Sequence, residues 1–291
     1  MTRSSQTEFV AEVMDELEAY RNRTVVMKIG GNAIAEDDQF LAKIGKQVRF
    51  LTSNGVRVVV VHGGGPQIDE ALRLANIPTA KGKDGRRITT PKAVRVVHKA
   101  MNALNLQIAD ALVKAGCEKA RVVPAAKIKS LLVKAKPSDP VDGGKQNRVG
   151  VPQPTTMPEL GKLIAQDKII VLHCVCIGTD GKTVFNTNAD DYAMAVAIGV
   201  KAKRLLLVTN VAGVLDKQGQ CIPVMDADIA KDLIQTGVIS GGMIPKVESA
   251  LSTVEHGVGG VVILDGFVPW SILAEMLTHQ GQGTLFRMRV V

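Results

Sequence analysis

Residues 57–74 constrain this chain more than any other stretch. They contain Val58-Val59-Val60-Val61-His62, then Gly63-Gly64-Gly65, then Pro66-Gln67-Ile68-Asp69-Glu70-Ala71-Leu72. A half-exposed strand alternates apolar and polar side chains. Four successive valines therefore require a strand covered on both faces, as in a parallel sheet flanked by helices. Pro66 suits the first helical position, where its missing N–H costs nothing, and Ile68, Leu72 and Leu74 follow at roughly helical spacing. A strand, a glycine run and a helix start make an anion site. Backbone N–H groups converge there, the helix dipole adds positive potential, and no Cβ blocks close approach. A tight turn needing positive φ would be satisfied by one glycine, and three exceed that need.

The same grammar recurs. Thr24 to Ile29 reads as a first buried strand, closed by Gly30-Gly31-Asn32, with Lys28 near its end. A lysine at the end of an apolar strand beside a glycine turn calls for an anion. Residues 168–177, 204–208 and 260–265 read as further buried strands. Helices are expected over residues 42–54, 91–115, 158–166, 193–198, 226–236 and 272–277. The hydrophobic content of 46% supports a large core, in one α/β domain or two lobes, and the 3% aromatic content makes that core aliphatic. Residues 5–22 read as an amphipathic helix with capping-box spacing at Ser5 and Glu8. Its stripe of Phe9, Val10, Val13, Met14, Leu17 and Tyr20 needs a partner, either its own domain or a second subunit.

Polar residues mass at three further turns. Asn186, Asn188 and Asp190 precede a helix in greater number than one cap needs. Thr209-Asn210-Val211-Ala212-Gly213-Val214-Leu215-Asp216 follows a buried strand, as at a ligand edge of an open α/β sheet. Gly241-Gly242-Met243-Ile244-Pro245-Lys246 enters a helix with a cation in its first turn, which the dipole disfavours unless an anion lies between. Residues 80–90 read as a basic hairpin or loop, and residues 120–155, including 141–145, as hairpins.

The net charge of +8 suits an anionic small substrate. No basic helix with interleaved aromatics or nucleic-acid motif appears. No apolar run approaches the roughly 20 residues of a membrane span, and the N-terminal stretch has no signal core, so a cytoplasmic protein is expected. Cys174 and Cys176 sit in one apolar run, their thiols expected on one strand face as small buried groups in a reduced compartment. Gly181-Lys182-Thr183 and Gly144-Lys145 lack the leading glycine of a phosphate-binding P-loop. Kinase His-Arg-Asp and serine-elbow signatures are missing.

These stretches, in this order, resemble the amino acid kinase family. Met27-Lys28-Ile29-Gly30-Gly31 is similar to its first lysine–glycine signature, and residues 61–67 to its second glycine loop. Gly85-Arg86-Arg87-Ile88-Thr89 is similar to its Gly-x-Arg-x-Thr, and Asn186-Thr187-Asn188-Ala189-Asp190 to its Asn-x-Asn-Ala-Asp. Residues 209–216 match its nucleotide-side turn and residues 242–246 its second lysine loop. The likeness runs in register from about residue 24 onward. The arginine and Met-Ile-x-Lys loops point to the branch whose acceptor is N-acetyl-L-glutamate.

The resemblance implies a three-layer αβα sandwich with a mostly parallel central sheet. It implies a helical extension over 1–23 and a kinase domain over 24–291, with an acceptor lobe at about 24–185 and a nucleotide lobe at about 186–291. The implied activity moves the ATP γ-phosphoryl group to a carboxylate, with Mg²⁺ bridging the nucleotide phosphates. Lys28 and Lys246 would neutralise the moving phosphoryl and Asp190 would orient them. Gly63, Gly64, Gly65, Arg87 and Asn186 would hold the acceptor. Gly30, Gly31, Thr209, Asn210, Gly213, Asp216, Gly242 and Met243 would serve the nucleotide. No residue is assigned to hold a metal directly. The N-terminal helix is similar to an extension that pairs subunits, implying a homo-oligomer, a dimer or a hexamer. Residues 271–284, with Glu275 and Gly281, are similar to a region where arginine acts as an effector. Another carboxylate or carbamate acceptor, and a non-catalytic nucleotide-binding regulator, remain open as alternatives.

Overall fold

The structure, a computed structural model, describes residues 3–82, 86–128, 133–138 and 147–289. Gly85 and the 141–145 turn lie outside the described residues. In chain order the strands are β1 (Thr24–Ile29), β2 (Arg57–His62), β3 (Val122–Pro124), β4 (Lys134–Pro137), β5 (Gly150–Pro152), β6 (Ile169–His173), β7 (Val175–Gly178), β8 (Val184–Asn186), β9 (Arg204–Thr209), β10 (Val224–Met225), β11 (Val261–Asp265) and β12 (Thr284–Phe286). The helices are α1 (Arg3–Tyr20), α2 (Gly31–Glu36), α3 (Phe40–Ser53), α4 (Gly65–Leu74), α5 (Pro91–Lys114), α6 (Pro158–Ala165), α7 (Ala189–Gly199), α8 (Ala227–Gln235), α9 (Met243–Glu255) and α10 (Ser271–Leu277).

An eight-stranded sheet runs β10-β12-β11-β9-β1-β2-β6-β3. The six strands from β11 to β3 are parallel; β12 lies antiparallel to β11, and β10, parallel to β12, forms the edge. The four valines of β2 sit at its centre, paired with β1 on one side and β6 on the other. Their side chains alternate between two cores. Val59 and Val61 join Val26, Leu207 and Ile263 beneath α4, α7 and α9. Val58 and Val60 join Met27, Leu206 and Val262 beneath α3 and α10. The helix α5 contributes Val97 and Met101 to the first core and Leu104, Ile108 and Leu112 to the second. This is the three-layer αβα sandwich with a mostly parallel central sheet.

A second sheet, β5-β4-β7-β8, stands beside the first. The apolar run 168–177 is not one strand: β6 ends at His173 in the large sheet and β7 starts at Val175 in the small one. The change occurs at Cys174, whose carbonyl accepts hydrogen bonds from Thr187 N (3.2 Å) and Thr187 Oγ1 (2.9 Å). Cys174 and Cys176 are both buried, but Cys174 sits at this break and Cys176 within β7. All four cysteines are free.

Helix α1 begins at Arg3, so Ser5 and Glu8 lie inside it rather than capping it. Its stripe divides. Val13, Leu17 and Tyr20 pack on the second core, while Phe9 (43%), Val10 (58%) and Met14 (62%) are exposed. The Tyr20 hydroxyl accepts a hydrogen bond from Arg204 Nε (3.0 Å), fixing the helix end to β9. No described helix is long and apolar enough to cross a membrane.

Candidate active site

The parallel strands all end on one edge of the sheet, and a cleft of about 610 Å³ opens there. Its floor is made by two glycine turns meeting face to face. A Cβ on Gly31 would lie 2.6 Å from Gly64 Cα and 2.8 Å from Gly65 N. Neither turn uses positive φ: Gly30 has φ −78° and Gly64 has φ −171°. Close approach, not left-handed backbone, is therefore what demands glycine here. The helix α4 starts at Gly65, with Pro66 as its second residue. The two turns are tied together by Gly63 N to Ile29 O (3.0 Å) and Gln67 Nε2 to Gly31 O (3.3 Å).

Behind the glycines lies a buried polar network. The neutral His62 ring offers Nδ1–H to Gly63 O (3.1 Å) and takes Asn105 Nδ2–H on Nε2 (3.1 Å). Asn105 also donates to Val171 O (3.0 Å) and accepts from Ala126 N (3.1 Å). Burial pushes the His62 pKa down to about 4, so the ring stays neutral at ordinary pH. His173, opposite it across the strand register, is pushed down to about 3 by burial and the neighbouring His62 and His98.

Above the floor Asp190 stands between two lysines. Lys28 Nζ is 2.8 Å from its Oδ1 and Lys246 Nζ 3.7 Å from its Oδ2. Lys28 comes from β1, Asp190 from the first turn of α7 and Lys246 from the first turn of α9. The anion that Lys246 requires at a helix start is Asp190, itself favoured at the start of α7. Burial disfavours the Asp190 carboxylate, but the two ammonium groups outweigh that and hold its pKa below the ordinary carboxylate value. Asn188 caps α7, accepting from Asp190 N (2.7 Å) and Asp191 N (3.3 Å).

One end of the cleft carries arginines. The two arms of the basic stretch pair, with Lys81 bridging Arg87 antiparallel and Ile88 N bonded to Ala80 O (2.9 Å). Arg87 is ion-paired with Asp69 of α4 and Arg86 with Asp191 of α7. Asn186 donates from Nδ2 to Thr89 Oγ1 (3.2 Å), joining β8 to this stretch. The other end is lined by Thr209, Asn210, Gly242 and Ser249.

The structure thus gathers Lys28, Gly30, Gly31, Gly63, Gly64, Gly65, Arg87, Asn186, Asp190, Thr209, Asn210, Gly242 and Lys246 around one cleft. Gly213, Asp216 and Met243 do not line it. Gly213 lets the 209–222 turn pack on β12, since a Cβ there would lie 2.5 Å from Thr284 Oγ1. Asp216 closes that turn by accepting from Gln218 N (2.9 Å) and Gln220 N (2.8 Å), and Met243 packs on the first core. Sequence reasoning missed Cys174, Lys81, Arg86 and Asp191 as cleft residues. Adjacency to Arg87 and Asp190 was the available signal for the last two. The Cys174 thiol is pushed up to about 11 by burial, so it lines the wall as a neutral group. Among the described residues no group of three or more His, Cys, Asp or Glu side chains is placed to cage a metal.

An open α/β sheet whose strand ends carry two glycine turns and a lysine–aspartate–lysine bridge is built to hold anions in line. The chain belongs to the amino acid kinase family, which residues 23–265 match. It is 39% identical to the acetylglutamate kinase of Rhodopseudomonas palustris over 290 residues, covering 96% of this chain and 95% of that one. Solved structures share the fold. An N-acetylglutamate synthase from Neisseria gonorrhoeae, complexed with coenzyme A and N-acetyl-glutamate, superposes with a TM-score of 0.81 at 21% identity. The match covers 98% of this chain but spans only 64% of the synthase's length. A Giardia lamblia carbamate kinase bound to AMP-PNP gives 0.65 at 16% identity, covering 92% of this chain and 99% of that one.

Proposed function

We propose that this protein transfers the γ-phosphoryl group of ATP to the γ-carboxylate of N-acetyl-L-glutamate, giving an acyl phosphate on the route to arginine. The observation that carries this reading is the Lys28–Asp190–Lys246 bridge above paired glycine turns, in a chain 39% identical to an acetylglutamate kinase. Phosphoryl transfer needs little covalent help from the protein. It needs nucleophile and leaving group in line and the charge on the moving group neutralised. Lys28 and Lys246 approach from opposite lobes and supply that charge. Asp190 keeps both ammonium groups aimed inward. Gly30, Gly31, Gly64 and Gly65 form the floor, where phosphoryl oxygens and the attacking carboxylate would lie, while the Gly63 N–H holds the two turns together through Ile29 O. Arg87 and Asn186 orient the acceptor, and Thr209, Asn210 and Gly242 border the nucleotide end, with Gly213, Asp216 and Met243 shaping the turns behind it. Mg²⁺ bound with the nucleotide would offset phosphate charge.

The reading extends to assembly and regulation. The exposed Phe9, Val10 and Met14 support a homo-oligomer, a dimer or a hexamer paired through α1. Residues 271–284 support arginine as an effector. There the Glu275 carboxylate is bound by Gln282 N (2.6 Å) and Gly283 N (3.0 Å) where α10 meets α1. A cytoplasmic location suits this metabolic role.

The test is an ATP and Mg²⁺ assay with hydroxylamine trapping across N-acetylglutamate, glutamate, aspartate and carbamate, with and without arginine. Hydroxamate from N-acetylglutamate alone is expected. A signal only from another acceptor overturns the acceptor assignment, and bound ATP without turnover of any acceptor overturns the enzymatic reading.

A further inference from the structure

Arg86 and Asp191 form an ion pair that the reaction chemistry does not require. Arg86 Nη2 lies 2.9 Å from Asp191 Oδ2, and both side chains face the cleft. The pair joins the arm of the basic stretch at residues 86–88 to the first turn of α7, across 105 residues of sequence. Asp191 directly follows Asp190, whose own charge is fully met by two lysines. Asp191 has no such surplus of cations. Arg87, the neighbouring guanidinium, is turned to Asp69 on α4. An anionic acceptor entering between this arm and α7 thus meets a carboxylate whose field Arg86 offsets. Burial lifts the Asp191 pKa and Arg86 opposes that rise, in keeping with a carboxylate that depends on one partner.

We propose that Arg86 and Asp191 together are a specificity-determining pair for the acceptor, Arg86 neutralising a carboxylate that would otherwise repel an anionic substrate. The inference rests on the phosphoryl-transfer reading above and names a control on its acceptor end. With Arg86 present the acceptor end keeps a cationic balance and favours a substrate with more than one carboxylate. Without it, Asp191 opposes the same substrate. Asp191 by itself contributes repulsion, so its removal acts in the opposite direction.

The test is steady-state kinetics on Arg86→Leu, Asp191→Asn, the double variant and Arg86→Lys, using the full-length enzyme with N-acetylglutamate and ATP varied in turn. For two charges near the protein surface, partly screened by water, removing one partner is expected to raise the acceptor KM about tenfold in Arg86→Leu. That rise should exceed any fall in kcat, and the ATP KM should stay within about twofold. Asp191→Asn is expected to lower the acceptor KM, the double variant to return it to within about threefold of the parent, and Arg86→Lys to restore it. An unchanged acceptor KM in Arg86→Leu overturns the proposal, as does a double variant no better than Arg86→Leu. If the parent instead turns over a different carboxylate, the assigned acceptor fails while the pair is tested on that carboxylate by the same cycle. Silence towards every carboxylate overturns both readings.

Discussion

Replacing Asp190 by asparagine keeps the shape of the side chain and removes the one negative charge between Lys28 and Lys246. The Lys28 contact is short, at 2.8 Å, and the Lys246 contact longer, at 3.7 Å. Hydrogen bonds to charged groups contribute about 1.5–3 kcal/mol each. Weighting the second contact down for its length, the ligand-free variant should lose about 2–4 kcal/mol of stability, or roughly 5–10 °C in Tm. The amide also turns an N–H towards one ammonium, so the lysines swing away from the reacting centre. A loss of about 10²–10³ in kcat follows, the scale of removing one well-placed donor to a developing oxyanion. Nucleotide phosphates bring negative charge back between the lysines, so MgATP should restore most of the lost Tm. Coupled ADP release and thermal melts with and without MgATP measure both effects. A kcat within fivefold of the parent, or a Tm deficit that nucleotide leaves unchanged, would refute the account. Acid has a parallel effect. Because the folded Asp190 pKa is depressed, its stabilisation is present above the unfolded carboxylate range and disappears as pH falls through the folded value.

Gly31→Ala should be lost to misfolding or cost about 1–3 kcal/mol, because its Cβ meets the Gly64 backbone. Gly30→Ala has open space around its Cβ and should melt like the parent, so a drop in kcat without a drop in Tm would mark Gly30 as a ligand position. His62 and His173 are neutral in the fold and take up protons near pH 6.5 when unfolded. They therefore erode stability as pH falls from about 6.5 towards 4 and 3, by on the order of 3 kcal/mol for His62. Among the described residues, neither ring nitrogen of His173 has a hydrogen-bond partner beyond its own backbone. His173→Phe should accordingly melt no lower at pH 7 and show a shallower acid loss, and a large loss at pH 7 would contradict this. Changing Phe9 and Met14 together to serine should reduce the assembled mass in light scattering while leaving the monomer's melting little altered.

The core of the fold was legible because its strands are buried on both faces. A run such as Val58 to Val61 has few other ways to satisfy itself. The glycine turns and Lys28 were legible for a related reason, since a glycine cluster and a charged strand end each violate a local rule that only a site would justify. The break at Cys174 was not legible. Ile169 to Ile177 carries no glycine or proline and only a single polar residue, His173, and the switch of sheet is set by Thr187 binding the Cys174 carbonyl from a distant segment. The short strands β10 and β12 are too brief to show a period. Arg86–Asp191 and Arg87–Asp69 escaped because ion pairing between remote segments leaves no periodic trace. The turn at 209–216 announced a loop correctly, yet only its first two residues reach the cleft, because Gly213 and Asp216 are used in folding the loop onto β12.

The transfer of the chain between its two sheets has a mechanical consequence. The β7–β8 hairpin of the small sheet is entered through Cys174 and left through residues 187–188, and Thr187 staples these two legs together. Lys28 and Asp190 flank that staple closely enough for both charges to be felt at the Cys174 thiol. Any rocking of this hairpin would therefore pivot beside Lys28 and Asp190. The β7–β8 tip would be the long arm of this lever and the cleft floor its fulcrum. Such a hinge would let that side of the cleft open and shut while the Lys28–Asp190–Lys246 bridge scarcely travels.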